Sequence, residues 1–500
     1  MRNVVEYLLD SAESHPKKTA FASAEREITF GQLKEAVIAV AECIQERLKG
    51  RCNQPVAVYM EKSVDCLIAM LGVVYSGNFY TPLDKNSPAE RTDKILKILE
   101  PACVIYKSQE EFLEGDWINL KLPQDMKKAA YDGAWYKKVC DIDPVYVLFT
   151  SGSTGEPKGV VISHRGVIDY AEWLKDKFDF NDTTVFGNQA PFYFDNSVLD
   201  IYSVLKNAST MYLIPESYFL FTGKLAGFLK EKEINTIFWV PSAYIAFSNS
   251  EAFAEADLTK IKQALFCGEV MPNKCLNLWR KKLPDAMFAN LYGPTEITDV
   301  CTYYIADREF GDDEPLPIGF PCENTEILVL NEKNCLAEAG ETGELCVKGS
   351  CLSMGYYGNA DKSEQVFIQN PLNKKYAERI YRTGDLVKYN SYGELMYLGR
   401  KDFQIKHQGH RIELGEIETA VCAARGIRKS CALYDEKKKK IILLCEGTQT
   451  AASEKEIYRE LKRKLPQYML PSEILLREEL PLNVNGKIDR AALMREVANG

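Results

Sequence analysis

Histidine is scarce in this chain. There are four in 500 residues, and the fifteen cysteines include no Cys-x-x-Cys pair. A zinc site built from clustered thiolates and imidazoles is therefore not expected. Cysteines such as Cys66 and Cys445 lie in apolar runs and read as small core residues of a reducing compartment. Long hydrophobic stretches are missing too. The longest clean one, Cys66–Tyr75, is far too short to span a bilayer. The start, Met1 to Asp10, has an early acid and no apolar core or cleavage site, so it is not a signal peptide. A basic excess is also absent: 62 Lys and Arg stand against 71 Asp and Glu, a net charge of −9. The signs are mixed along the chain, which argues against nucleic acid as a partner. The run Lys437–Lys440 follows two acids and precedes an apolar strand, as in a solvated hairpin turn. No internal repeat or low-complexity segment is visible. These absences describe a soluble, cytoplasmic protein without membrane insertion.

Hydrophobic residues make up 46% of the chain, enough for sizeable cores, and the length suggests roughly three domain-sized units or one large domain with a small one. Up to about residue 240, short apolar strands alternate with amphipathic helices. Strands are expected at Pro55–Tyr59, Phe79–Leu83, Ala102–Tyr106, Val185–Asn188, Thr210–Leu213 and Thr236–Val240, with a helix over Val64–Tyr75. That alternation predicts an α/β fold with mostly parallel, doubly wound sheets. From about 315 to 400, short strands separated by Gly, Asn and Asp turns predict a β subdomain. After residue 401 a small α+β domain is expected, with helices over Gly415–Ala424 and Glu454–Lys464. The predicted division is 1–401 and 402–500.

The most informative segment is residues 145–159, Val-Tyr-Val-Leu-Phe-Thr-Ser-Gly-Ser-Thr-Gly-Glu-Pro-Lys-Gly. An apolar strand runs into a loop of hydroxyls and glycines that ends in a lysine. Gly152 and Gly155 let the backbone approach a phosphate, Thr150, Ser151, Ser153 and Thr154 supply donors, and Lys158 supplies charge. A Walker A loop needs Gly-Lys-Ser/Thr opening a helix; here Pro157 precedes the lysine and Gly159 follows it.

Further motifs follow in order: Phe194-Asp-Asn-Ser197, Asn290-Leu-Tyr-Gly-Pro-Thr-Glu296, Gly343-Glu-Leu345, Tyr381-Arg-Thr-Gly-Asp-Leu386, Gly399-Arg-Lys-Asp402, the stretch Gly409 to Glu418, Leu465 to Pro471, and Asn485-Gly-Lys-Ile-Asp-Arg490. In this order the chain resembles the adenylate-forming superfamily. Within it, the chain looks like amino-acid adenylation domains of nonribosomal peptide synthetases and stand-alone D-alanine–carrier protein ligases. The resemblance runs from Ile28 to Arg490. It implies ATP-dependent acyl-adenylate formation followed by transfer to a thiol, with Mg2+ as cofactor and a mobile C-terminal lid pivoting at Asp402. By resemblance the phosphate loop grips the β- and γ-phosphates. Thr295 donates to the α-phosphate, Glu296 holds magnesium, and Asp385 takes the ribose hydroxyls, assisted by Arg400. Tyr292, Gly293 and Tyr397 border the nucleotide, and Asn290 with Gly268 and Glu269 borders the adenine. Lys487 bridges the attacking carboxylate and the α-phosphate.

The resemblance places Asp195 at the substrate's α-ammonium; the residue also suits the N-cap of a helix over Val198–Leu205. Aligned with the family's pocket positions, the wall is Asp195, Asn196, Leu199, Trp239, Leu265, Cys267, Leu291, Asp299 and Val300. Its bulk implies a small substrate: D-alanine, alanine, glycine or serine. Asp299 departs from the family, where an apolar residue is expected. A pocket-facing Asp299 needs a partner and favours serine or a substrate with a second amine; facing away, it leaves alanine or glycine. No phosphopantetheine attachment motif follows Lys487, so a separate carrier protein is the expected partner of a monomeric enzyme. The alternatives are an acyl- or aryl-coenzyme A ligase and, outside catalysis, a silent nucleotide-binding regulator.

Overall fold

Buried apolar strands that alternate with half-apolar helices can hide both faces of a sheet only by stacking helices on each side. The computed structural model describes residues 1–108, 113–123, 133–152, 155–421, 424–447, 452–482 and 488–499. It divides into two compact units. The larger comprises Met1–Leu83, Leu99–Leu148 and Val160–Lys401; the smaller gathers Asp84–Ile98, Phe149–Gly159 and Asp402–Gly500.

The larger unit holds a nine-stranded sheet. Its parallel centre runs in the order Met287–Tyr292, Gln263–Phe266, Thr236–Trp239, Val185–Asn188, Thr210–Leu213 and Thr19–Ala22. Antiparallel strands flank this centre: Glu27–Thr29 at one edge, Thr302–Ile305 and then Phe320–Pro321 at the other. A seven-stranded sheet carries Pro55–Val58 between Phe79–Pro82 and Cys103–Tyr106, all parallel. A five-stranded antiparallel sheet occupies residues 325–400, with Arg379–Tyr389 pairing three neighbours. This is the expected α/β class, with the β subdomain where the turn residues predict it. The sheets are mixed rather than purely parallel, because short edge strands return by hairpins.

Helix starts follow local chemistry. Thr29 caps Phe30–Leu48 in a reciprocal box with Gln32, and Ser63 caps Val64–Tyr75. The latter helix is buried along its whole length. A Cβ on its Gly72 would sit 2.5 Å from Val40 Cγ1, so glycine permits the close approach of the Phe30–Leu48 helix. One core of the larger unit joins both large sheets to these helices, and a second gathers Trp239, Tyr244, Phe247 and Trp279.

In the smaller unit, Ile427–Asp435 and Lys440–Gly447 form an antiparallel pair, with Glu473–Arg477 parallel to the second strand. The lysine run is the turn between them, closed by Asp435 Oδ1 accepting the Lys437 and Lys438 amides. Helices Leu414–Val421 and Glu454–Lys464 pack against this sheet through Ile417, Val421, Ile457 and Leu461.

His164 sits within the larger unit's core, at the first residue of helix His164–Phe178. Its Nδ1 accepts the Val4 amide at 3.4 Å, and its Nε2 lies 3.4 Å from Asn3 Nδ2, tying down the N-terminus. Burial pushes the imidazole down to about 4, against opposing pull from Asp143 and Asp141. The folded chain therefore resists protonation that the unfolded chain accepts below about 6.5. Stability is retained above that pH and lost as pH falls toward 4, by up to about 3 kcal/mol. Denaturant titrations between pH 7 and 4 should show this loss, and His164→Asn should remove most of it.

Candidate functional site

The larger unit's parallel strands deliver the predicted residues to one end of the nine-stranded sheet. Trp239, Cys267 and Tyr292 lie at or just past the C-terminal ends of neighbouring strands, and the strand Val185–Asn188 leads into the Phe194–Ser197 segment. In open α/β sheets ligands bind at such carboxyl ends. Asn290 projects from the same edge and donates from Nδ2 to Pro317 O at 2.8 Å. Trp239 is fully buried, with Nε1 donating to Gly187 O at 2.8 Å. Leu199, Leu265, Cys267, Leu291 and Val300 are buried in the first core, and Trp239 is buried in the second. Gly268 has φ +96°, a backbone state that favours glycine, and the neighbouring Glu269 accepts the Ser242 amide at 2.9 Å.

Asp195 is the N-cap of helix Asn196–Asn207 and accepts the Asn196 amide at 3.0 Å. Its second oxygen accepts the Thr295 hydroxyl at 2.5 Å. The predicted capping role is present, and Thr295, expected at a phosphate, is tied to Asp195. The turn beyond is tightly folded. A Cβ on Gly293 would meet Asp299 O at 2.2 Å, and Thr298 and Asp299 adopt φ of +60° and +74°. Glu296 is fully buried and its Oε1 accepts the Tyr356 hydroxyl at 2.7 Å. Among the described residues no cluster of three or more His, Cys, Asp or Glu could hold a metal ion. One buried carboxylate fits magnesium, which takes one or two carboxylates and completes its shell with phosphates and water.

Asp299 is 1% exposed, and its Oδ2 accepts the Tyr170 hydroxyl at 2.8 Å. Burial, and then the Asp299 carboxylate, push the Tyr170 phenol well above its ordinary range, so it remains a donor. The partner that a buried Asp299 requires is therefore in the protein itself, on helix His164–Phe178. Tyr170 and Tyr356 escaped the sequence reading, because each lies far along the chain from the acid it serves and no local motif marks it.

Asp385 is held most elaborately. Gly384 has φ +76° and donates its amide to Glu344 at 3.1 Å, while the Asp385 amide donates to Thr383 Oγ1 at 3.0 Å. Arg400 donates to Asp385 Oδ1 at 2.8 Å and to Thr383 O at 3.1 Å. The Tyr292 hydroxyl donates to Asp385 Oδ2. Tyr397 faces Tyr292 with ring centroids 6.2 Å apart. Burial and the Asp385 charge raise the Tyr292 phenol well above its usual range, keeping it protonated.

The predicted phosphate loop belongs to the smaller unit. A Cβ on Gly152 would meet Glu156 O at 2.0 Å, so glycine is required there, and Gly155 has φ +79°. Thr150 Oγ1 is buried without a hydrogen-bond partner among the described residues. Ser151 Oγ donates to Arg411 O at 2.7 Å, and Lys158 Nζ pairs with Glu413 Oε1 at 3.3 Å. The smaller unit resumes at Asp402, whose Oδ1 accepts the Gln404 amide at 3.2 Å. Ser153, Thr154 and Lys487 lie outside the described residues. No helix among the described residues is long and apolar enough to cross a membrane.

Comparison with known proteins finds relatives over the whole chain. A curated D-alanine–D-alanyl carrier protein ligase of Bacillus cytotoxicus is 32% identical over 510 residues, covering 99% of both chains. The structure of IdnL1 superposes with a TM-score of 0.83 at 25% identity, over 96% of this chain and 99% of that one. That of holo-PA1221, an NRPS protein with adenylation and PCP domains bound to a vinylsulfonamide inhibitor, gives 0.85 at 23% identity, over 99% of this chain and 84% of that one. The AMP-binding enzyme model matches residues 8–357, the stretch that holds the loop, Asp195 and the Thr295–Glu296 turn. On these grounds the chain belongs to the AMP-binding enzyme family.

Proposed function

We propose that this protein is an AMP-forming ligase that activates a small amino acid, D-alanine foremost, and passes it to the phosphopantetheine thiol of a separate carrier protein. The observation that carries the reading is the Asp195–Thr295 hydrogen bond. It joins the acid suited to an amino acid's ammonium to the Thr-Glu pair suited to a nucleotide's phosphates. The full-length similarity to D-alanine–D-alanyl carrier protein ligases supports the same substrate and partner. ATP supplies the adenylate. The reading includes a monomeric, cytoplasmic enzyme with the hinge at Asp402, large domain before it and lid after it.

The chemistry follows from charge. A carboxylate must approach a polyphosphate, so donors have to be fixed where negative charge accumulates. Asp195 orients the substrate by its ammonium. Thr295 then turns its hydroxyl to the α-phosphate, and the loop Thr150–Lys158 takes the outer phosphates. Asp385 accepts the ribose hydroxyls, its orientation locked by Arg400 and Tyr292. Tyr292, Gly293, Tyr397, Asn290, Gly268 and Glu269 border the nucleoside. Glu296 would hold magnesium, which when bound neutralises the phosphates. Lys487 bridges the attacking oxygen and the α-phosphate. The carboxylate oxygen bonds to the α-phosphorus as pyrophosphate leaves. The carrier thiol, giving up its proton, then bonds to the carbonyl carbon as AMP leaves. The wall of Asn196, Leu199, Trp239, Leu265, Cys267, Leu291 and Val300 limits side-chain size. With Tyr170 occupying one oxygen of Asp299, a small apolar side chain is accommodated without a counter-charge from the substrate.

Pyrophosphate exchange with D-alanine should be rapid, and Lys487→Ala should lower it roughly 10²–10³-fold, as loss of a charge-stabilising donor does. Asp195→Ala should abolish exchange with amino acids; unchanged exchange would favour the acyl-coenzyme A ligase reading. Tyr170→Phe leaves Asp299 without its hydroxyl donor and should cost about 1–3 kcal/mol, read as a shifted denaturation midpoint. The same variant should raise exchange with serine relative to D-alanine.

A further inference from the structure

Two donors of the predicted phosphate loop, Ser151 and Lys158, are engaged within the smaller unit by the motif that follows residue 409. Lys158 and Glu413 are each 9% exposed and pair at 3.3 Å. Glu413 ends the strand His410–Glu413, and the carbonyl of Arg411 on that strand accepts the Ser151 hydroxyl at 2.7 Å. One turn into the next helix, Glu416 is buried and takes the Arg91 guanidinium from helix Ala89–Leu99. Burial raises the Glu416 carboxyl pKa, opposed by the Arg91 guanidinium and, less, by the Gly152 amide. A Cβ on Gly155 would lie 3.0 Å from Thr419 Cγ2, so that helix abuts the loop. Lys94 Nζ closes the far side, donating to Gly155 O at 3.3 Å and Glu156 at 2.9 Å.

Hydroxyl, ammonium and glycine amide are the groups such a loop presents to phosphate oxygens. Here the Ser151 hydroxyl faces a carbonyl oxygen and the Lys158 ammonium faces a carboxylate. A carboxylate is a competent occupant of such a site, being anionic and acceptor-only. A buried ion pair of this kind is costly to leave half-made, so Lys158 passes from one anion to another rather than standing alone. We propose that Glu413 is a positioning residue that acts as an internal stand-in for phosphate: it holds Lys158 whenever the loop carries no polyphosphate, and an incoming nucleotide must displace it. This rests on the adenylation reading above and adds a competitor to it. Binding of ATP is opposed by the Glu413 pair, and departure of pyrophosphate is helped by it, since Glu413 recaptures Lys158.

The test is binding of inorganic pyrophosphate and of Mg-ATP, by calorimetry, to the native chain and to Glu413→Gln. Neither measurement needs an amino acid or a carrier protein, so a wrong amino-acid assignment leaves the result readable. Removing the competing charge should tighten both ligands about fivefold to tenfold, a usual size for coupling between sites. It should also lower KM for ATP in the exchange reaction, and Glu413→Asp should return both affinities toward those of the native chain. Equal or weaker binding by Glu413→Gln overturns the proposal. Failure of either protein to bind ATP overturns the loop assignment and the proposal with it. Should Glu413→Gln not fold, hydrogen exchange of the native chain decides. Saturating pyrophosphate should quicken exchange across His410–Glu413, and unaltered exchange there overturns the proposal.

Discussion

Buried carboxylates govern this structure. Glu296, Asp299 and Asp385 are almost wholly removed from solvent, and each would be expelled or neutralised without a donor. Each receives a phenolic hydroxyl: from Tyr356, Tyr170 and Tyr292 respectively. Phenols suit the task because they donate without adding charge and carry a large apolar body that packs in the core. For two of the three tyrosines, the protonated state is itself reinforced by burial and the neighbouring acid. The arrangement keeps negative charge inside the larger unit in fixed orientations.

The backbone is shaped to the same end. Gly293 admits the Asp299 carbonyl, and two successive left-handed residues, Thr298 and Asp299, turn the chain back. A non-glycine residue in that region is held only by its surroundings. Here the Thr298 hydroxyl donates to Cys351 O at 2.8 Å and the Ser353 amide donates to Glu296 O at 2.8 Å. Segments separated by some fifty residues thus meet across one turn, and the β subdomain is what brings them together.

Much of this was legible beforehand. The helices Val64–Tyr75 and Glu454–Lys464 fall where the pattern puts them, because apolar spacing and an N-cap serine are local signals. The strands Val185–Asn188 and Thr210–Leu213 are likewise local, short apolar runs bounded by polar turns. The membership of the family was carried by ordered motifs, since loops that grip phosphates and diols need particular residues at particular spacing. Asp195 was readable as a cap, and its carboxylate has a second oxygen to spare, which takes the Thr295 hydroxyl from a hundred residues along the chain.

What the chain by itself determined, then, is the menu: an α/β fold, the family to which it belongs, and the candidate acids and loop. What only the tertiary structure decided is who meets whom. Tyr170 and Asp299 are 129 residues apart, Tyr292 and Asp385 are 93 apart, and Lys158 and Glu413 are 255 apart. Such pairings depend on sheet order and strand register. No window of sequence holds both partners, and a hydrogen bond needs both to be placed to within a few tenths of an ångström.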